Sequence, residues 1–425
     1  MPSKLTRIAI AGVGTVGTGV LNLLIKNKIL GKFNLDISHI ASRRKLNKKK
    51  LNLKNTKIFN DAKEFIKIDD YEILIELIGG DEGISKEIVF DALRKGKKVI
   101  TANKALVSKY WKEINKSCKD NNSFVFFEAA VAGGIPIIKV IQEFLSSNKI
   151  TKIYGILNGT SNFILTNMFI KNEDFNEVLK KAQDLGYAEA DPSFDIDGID
   201  TAHKLSILAS IAFNLNCNFN NISTEGIREI ELADLKYSEE LGYKIKLLGI
   251  TQFYNNELLC FVYPCLIHKS ELISSVDGVY NGVVVESDFC NKSFLQGEGA
   301  GAEPTATSVV SDLISSISVT RPKLIPSSKI KYKNLKINNR YGSYFLRFTT
   351  IDKSGVISGI TKEFKINNIS MKTMLQKDQS PNSANATIVI TTHKCSEKNI
   401  KKALKKIDSL KFVVKKTVMI RIESL

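Results

Sequence analysis

The segment 186–204, GYAEADPSFDIDGIDTAHK, places Glu189, Asp191, Asp195, Asp197 and Asp200 within twelve positions, just ahead of Lys204. In a helix, Asp200 and Lys204 share one face, one turn apart. The stretch that carries them, DTAHKLSILASIAF, is too apolar to stand in water. A partly buried ammonium oriented by a carboxylate is suited to acid–base work. The alternative is an ordinary surface helix, capped by Asp197 and starting near Gly198, whose Asp200–Lys204 pair contributes only about 0.3–0.5 kcal/mol. A calcium loop fails on spacing. In the register that puts Asp195 and Asp197 at positions 3 and 5, position 12 is Lys204 and not a bidentate glutamate. His203 neighbours this lysine, but helical phase points it elsewhere, and it reads as structural.

A second set of residues has the spacing of a phosphate cradle. RIAIAGVGTVGTGVLNLL puts Gly12, Gly14 and Gly17 in G-x-G-x-x-G register, after a strand and opening a helix. The first glycine makes the tight turn, the second admits a pyrophosphate, and the third lets helix and strand pack closely. With Thr15 and Val16, the helix start then offers free N–H groups to phosphate. The expected ligand is a dinucleotide. The next strand ends in Ser42, Arg43 and Arg44, where an NAD-selective site carries an acid, so Arg43 favours NADP; a plain surface arginine pair is the alternative.

The elements that must position these residues alternate. Residues 7–11, 35–41, 72–78, 98–102 and 123–129 read as strands with helical patterns between them, which predicts a parallel sheet in an α/β fold. Residues 136–320 read as mixed. Residues 224–250 carry a long helical pattern, 257–267 and 282–287 are strands, and a helix from Pro304 completes the nucleotide unit. Residues 321–340, rich in proline, serine and charge, read as a linker. Residues 341–425 show β-α-β-β-α-β order, a small ferredoxin-like sandwich.

Composition excludes several classes. The 425 residues carry a formal charge of +17. The lysines are spread through the chain, and the clusters at 43–50 and 398–407 lack interleaved aromatics, so no nucleic acid is expected. No window is long and apolar enough for a membrane span, and the N-terminal layout is not that of a signal peptide, so no membrane partner and a cytoplasmic location are expected. Six scattered cysteines and four histidines indicate neither a disulfide framework nor a zinc site.

Further motifs carry a resemblance. ELIGG (76–80), GKKVITANKALVS (96–108), FEAAVAGGIPII (127–138), LNGTSNFIL (157–165), the acidic stretch and LQGEGAGAEPTATSVVSDL (295–313) resemble homoserine dehydrogenases, in that family's order. The resemblance implies three units. Residues 1–135, completed by about 303–320, form a Rossmann-type NAD(P)-binding domain; 136–302 form an α+β catalytic and dimerisation domain; 341–425 form an ACT regulatory domain after the linker at 321–340. It implies reversible reduction of L-aspartate 4-semialdehyde to L-homoserine, with Lys204 as proton donor and acceptor, Asp200 orienting it, and Lys104 between cofactor and substrate. Glu189 and Asp195, with Asn158, Gly159 and Thr160, form the substrate end. Thr101, Gly299 and Gly301 join the cofactor side. NADP is the expected cofactor, with NAD also accepted. A monovalent cation such as Na+ falls to Glu128 and the carbonyls of Val131, Gly133 and Ile135, unless that loop only positions the domain hinge. Asp352 and Gly355 match an effector loop, implying a homodimer or homotetramer inhibited by L-threonine. On this reading, truncation near Pro326 leaves an active but uninhibited enzyme.

Two other readings remain open at this stage. An aldehyde-oxidising dehydrogenase needs an activated cysteine, and no cysteine here sits in a motif. A non-catalytic NADP and amino-acid sensor would not need the set Lys104, Glu189, Asp200 and Lys204.

Overall fold

The computed structural model describes residues 5–47, 53, 55–318, 330–376 and 385–425. The N-terminal part builds a six-stranded parallel sheet from β1 (Thr6–Ala11), β2 (Leu35–Ala41), β3 (Lys57–Phe59), β4 (Ile73–Glu76), β5 (Lys98–Thr101) and β6 (Phe124–Phe126). Every pair runs parallel, in the order β3-β2-β1-β4-β5-β6. The central strands are continuous apolar runs because helices cover both faces. These include α1 (Thr15–Lys26), α2 (Ile84–Arg94), α3 (Lys104–Lys109) and α4 (Trp111–Asn121). The strand order reverses between β1 and β4, and ligands bind such sheets in the crevice beyond the carboxyl ends at that point.

The next part holds β7 (Ile150–Ile156), α5 (Gly159–Lys171), α6 (Phe175–Asp184), α7 (Ser193–Ile196) and α8 (Ile199–Ala212), then β8 (Ser223–Thr224) and α9 (Leu232–Glu240). Long antiparallel strands β9 (Tyr243–Tyr254) and β10 (Glu257–His268) follow, then β11 (Tyr280–Ser287) and β12 (Asn291–Glu298). The chain then returns as α10 (Ala302–Ser318), which starts before Pro304. Its Ala306, Val309, Val310 and Leu313 share a core with Ile8 and Ile10 of β1 and Val20 and Leu24 of α1.

The helical pattern expected over 224–250 is corrected. Only Leu232–Glu240 is helical, and Tyr243–Tyr254 is a strand. Residues 245–251 of that strand are buried on both faces, and an apolar run of that kind has no period to distinguish it from a buried helix.

The C-terminal part contains β13 (Lys333–Asn334), β14 (Tyr341–Ile351), α11 (Val356–Ile366), β15 (Met371–Gln376), β16 (Asn385–Thr392), β17 (Cys395–Ser396), α12 (Glu397–Ile407) and β18 (Val413–Glu423). The larger sheet runs β12-β11-β7-β9-β10-β18-β14-β16-β15, so the β-α-β-β-α-β unit continues the preceding sheet through a parallel β10–β18 pair.

Residues 321–329 of the expected linker, Pro326 among them, lie outside the described residues. The described remainder is not a free linker. β13 pairs with β10, the Tyr332 hydroxyl donates to the Asn216 carbonyl at 2.6 Å, and Arg340 is buried.

Buried charge holds this seam. The Arg421 guanidinium, 1% exposed, donates to both oxygens of Glu225 at 2.7 and 2.8 Å and to Glu397. Arg347 makes a bidentate pair with the fully buried Asp234 at 2.6 and 3.1 Å. Burial raises the Asp234 carboxyl above its ordinary range, and Arg347 opposes that shift only in part.

Candidate active site

The site forms where α3 of the nucleotide unit meets α8. Eleven of the fourteen residues of α8 are buried, which removes the surface-helix alternative for Asp200 and Lys204. Asp197 does not cap this helix. The cap is Gly198, in the left-handed region at φ 80°, and Asp197 pairs with Arg228. A side chain at Gly198 would also press on Val262 and Thr224 at about 3 Å.

Lys204 Nζ lies 2.8 Å from Asp200 Oδ2 and donates to the Leu157 carbonyl at 2.6 Å. Lys104 opens α3, and its Nζ stands 2.6 Å from Asp200 Oδ1, an ion pair off the ideal hydrogen-bonding direction. One carboxylate therefore faces two ammonium groups from two units. A Ser108–Ser206 hydroxyl contact at 2.6 Å ties the two helices together one turn further on.

Asn158 completes the cluster. Its Nδ2 donates to Asp195 Oδ1 at 2.7 Å and to Asp200 Oδ2 at 2.9 Å, and its Oδ1 caps α5 through Ser161 N–H. Gly159 must lack a side chain, since a Cβ would come within 2.6 Å of the Val279 carbonyl.

Electrostatics separates these groups. Burial alone would raise the Asp200 carboxyl, but Lys204 and Lys104 outweigh it and hold it well below the usual carboxylate range. Burial pushes Lys204 below its ordinary value of 10.5; Asp200 opposes that shift and Lys104 adds to it. Burial raises Asp195, against its bond from Asn158. The arrangement is a fixed anion between two cations, one of them buried and the other open to solvent.

On the nucleotide side, a Cβ at Gly12 (φ 98°) would meet the Leu77 main chain at 2.7 Å, and one at Gly17 would meet the Gly12 carbonyl at 2.2 Å. A Cβ at Gly14 would meet nothing within 4 Å. The turn is thus tight where strand and helix pack and open where a pyrophosphate would lie. Gly14 caps α1 without a side-chain bond, which leaves the N–H groups at Thr15, Val16 and Gly17 directed at that space. These residues fit a dinucleotide. Gly299 and Gly301 lie on the turn into α10, and a Cβ at Gly133 would strike the Gly299 carbonyl at 2.5 Å. Arg43 is exposed at the end of β2.

Thr101 is fully buried. Its hydroxyl donates to Glu76 Oε2 at 2.6 Å and accepts from Asn103 N–H at 2.9 Å, so its Oγ1 is committed within the protein. Glu76 also accepts from the N–H groups of Ile78 and Gly79, fixing the turn after β4. Asn103 caps α3 through Leu106 N–H and bonds the Gly80 carbonyl. Sequence reasoning passed over Glu76 and Asn103. The signals were present, as an acid ending an apolar strand and an N-cap residue directly before Lys104.

Other expected residues are less gathered. Glu189 is exposed on the loop after α6, apart from the lysine pair, and its carbonyl accepts from Gln183. The Thr160 hydroxyl donates to the Tyr187 carbonyl at 2.7 Å, stitching α5 to that loop. In the expected cation loop, both oxygens of Glu128 accept main-chain N–H groups, from Ile138 and Lys139. The Gly133 carbonyl accepts from Ser308 and the Ile135 carbonyl from Ile137, while Val131 is buried beside them. Burial and the nearby Asp312 raise the Glu128 carboxyl to about 7. Among the described residues, no group of three or more His, Cys, Asp or Glu is arranged to hold a metal ion. Asp352 and Gly355 lie on the exposed turn into α11, far along the sheet from this site. Burial raises the thiols of Cys118, Cys260 and Cys265, and none of the six cysteines touches the lysine cluster. Among the described residues no helix is long and apolar enough to cross a membrane.

Comparison with known proteins agrees with this geometry. A family model described as "Homoserine dehydrogenase, NAD binding domain" matches residues 12–128, and one described as "Homoserine dehydrogenase" matches 136–314. A homoserine dehydrogenase of Neisseria gonorrhoeae is 40% identical over 99% of both chains. The crystal structure of a homoserine dehydrogenase from Thiobacillus denitrificans superimposes with a TM-score of 0.90 at 39% identity, covering 99% of this chain and 98% of its own. A hyperthermophilic archaeal homoserine dehydrogenase in complex with NADPH matches at TM-score 0.63 and 27% identity, over 76% of this chain and 100% of its own. With the glycine cradle on one side of the lysine–aspartate–lysine cluster and these matches along nearly its whole length, the chain belongs to the homoserine dehydrogenase family of NAD(P)-dependent oxidoreductases.

Proposed function

We propose that the enzyme reversibly reduces L-aspartate 4-semialdehyde to L-homoserine with NADPH, and that Lys204 is its proton donor and acceptor. One observation carries the assignment: Asp200 lies between Lys204 and Lys104, and Lys204 is sealed from water. When bound, the nicotinamide supplies or receives the hydride. Lys204 gives its Nζ proton to the carbonyl oxygen as the C–H bond forms, and takes the hydroxyl proton in the reverse direction. Asp200 keeps Lys204 aimed and its charge balanced, so the proton moves within a preset geometry. Lys104 comes from the cofactor side and holds the substrate between the two units.

Asp195, Asn158, Gly159 and Thr160 frame the substrate end. Glu189 holds the substrate ammonium. Gly12, Gly14, Thr15, Val16, Gly17, Gly299 and Gly301 bind the cofactor, and the buried Thr101 fixes the strand end behind it through Glu76. Arg43 receives the 2′-phosphate that distinguishes NADP from NAD. The NADPH held by the archaeal relative supports this choice.

A sodium-type cation at Glu128, Val131, Gly133 and Ile135 fits the all-oxygen donor set and the strongly raised Glu128 carboxyl. Residues 341–425 act as an ACT domain that binds L-threonine near Asp352 and Gly355, within a homodimer or homotetramer in the cytoplasm. Exposed apolar side chains such as Phe289, Phe144 and Leu272 support association.

The test is homoserine-dependent reduction of NADP+, with NAD+ in competition. No reduction of either coenzyme would overturn the substrate assignment, and preference for NAD+ would overturn the role of Arg43.

A further inference from the structure

Lys104 is the less constrained of the two lysines. Its side chain is 32% exposed, and its 2.6 Å contact with Asp200 Oδ1 lies off the ideal hydrogen-bonding direction, whereas Lys204 both pairs with Asp200 and donates to Leu157. It must nonetheless keep its head on the α8 side of a seam between two units. A second group from that side meets it. The Phe194 ring, on α7 beside Asp195, lies with its centroid 5.5 Å from Lys104 Nζ. Phe194 is 40% exposed, an unusual place for a phenyl ring that only fills a core.

Its other neighbour explains how it is held. The ring stacks on His203 with centroids 5.6 Å apart and planes 24° apart, and His203 stacks on Phe219 at 3.9 Å and 6°. Burial keeps His203 below its ordinary pKa, against the pull of Asp200. The histidine next to the candidate proton donor is thus a spacer that carries Phe194 to Lys104.

We infer that Phe194 is a positioning residue for Lys104: its π face, braced by His203 and Phe219, holds the lysine ammonium against Asp200. The ring quadrupole attracts the cation at this distance, and the attraction strengthens as substrate and cofactor exclude water. The inference rests on Lys104 having the role proposed above, and the two can fail separately. Because Phe194 is half exposed, replacing it does not open a core cavity.

The experiment compares Phe194→Leu, Phe194→Tyr and Phe194→Trp in the full chain, reading kcat, KM for homoserine and NADPH affinity, with Tm as a check on folding. Leucine keeps apolar bulk and loses the quadrupole. It is expected to lower kcat about 3- to 30-fold while NADPH affinity holds, and the aromatic variants are expected to restore most of that loss. Equal activity in all three variants, or equal loss in all three, would overturn the inference, since packing alone would then account for the ring. Unchanged turnover in Lys104→Met would instead overturn the role of Lys104 itself.

Discussion

The molecule has two seams, and they are built on opposite plans. Between the nucleotide unit and the helix Ile199–Ala212, contact is made by side-chain groups, with Ser108 on Ser206 buried and Lys104, set on the buried Asp200 and under Phe194, open to solvent. Between the sheet of the catalytic part and the C-terminal unit, contact is made by backbone pairing of β10 with β18 and by guanidinium groups almost wholly sealed from water. A seam that must admit two ligands and move a proton leaves its charges within reach of them. A seam that must hold one geometry buries its charges and pairs them. On the proposed mechanism the same residue chemistry, a cation against a carboxylate, serves turnover at one boundary and cohesion at the other.

The sharpest way to break this contrast is Lys204→Ala. Turnover of the folded protein is expected to fall about 10²- to 10⁴-fold with NADPH affinity kept, measured by steady-state kinetics and cofactor fluorescence. Near-normal turnover would place the proton donor elsewhere.

At the other seam the readout reverses. Arg347→Ala leaves Asp234 buried without its partner, and a loss of about 3–5 kcal/mol in unfolding free energy is expected, with kcat preserved at temperatures where the protein stays folded. The pair Asp234→Leu with Arg347→Met is expected to recover most of that stability, because no uncompensated charge remains. If the double variant is as unstable as the single one, the pairing geometry itself is what matters.

The pH dependence sharpens the first seam. Lys204 accepts a proton during homoserine oxidation only when neutral, and its folded pKa lies below 10.5. Oxidation is therefore expected to rise with pH through that lowered value and to level off before an ordinary lysine would titrate, while reduction falls across the same window. Asp200 opposes the lowering, so Asp200→Asn is expected to move the limb to lower pH. A limb that stays in place in this variant would detach it from Lys204.

The smallest expected effect lies at the outer edge of the nucleotide unit. Arg43→Asp is expected to shift the ratio of catalytic efficiencies from NADP toward NAD by about tenfold, the scale of one charge-assisted bond to a phosphate. An unchanged ratio would remove Arg43 from the cofactor site.

The two seams also differ in how far they could be read from the sequence. The glycine turn, the Asp200–Lys204 spacing and the position of Lys104 after a strand were legible, because each depends on residues close together in the chain. The contacts of Arg421 with Glu225 and of Arg347 with Asp234 were not, since they join segments that no local pattern links. The strand Tyr243–Tyr254 was hidden for a related reason. Buried on both faces by its neighbours, it shows no alternation. Asp197 carried a cap signature, but Arg228 captured its side chain and a left-handed glycine served as the cap.

The continuous sheet also sets an order of events during synthesis. Arg421 reaches Glu225 across 196 residues of chain. β10 can pair with β9 and β8 as soon as all three have emerged from the ribosome, but the stretch Cys265–Ile267 of its other edge stays open until β18 has been made. Throughout that interval the growing chain presents an unpaired apolar stretch of strand edge, a feature that attracts other chains. Non-local pairing of this kind is slow to form. Closure of this seam therefore waits on a strand made long after its partner.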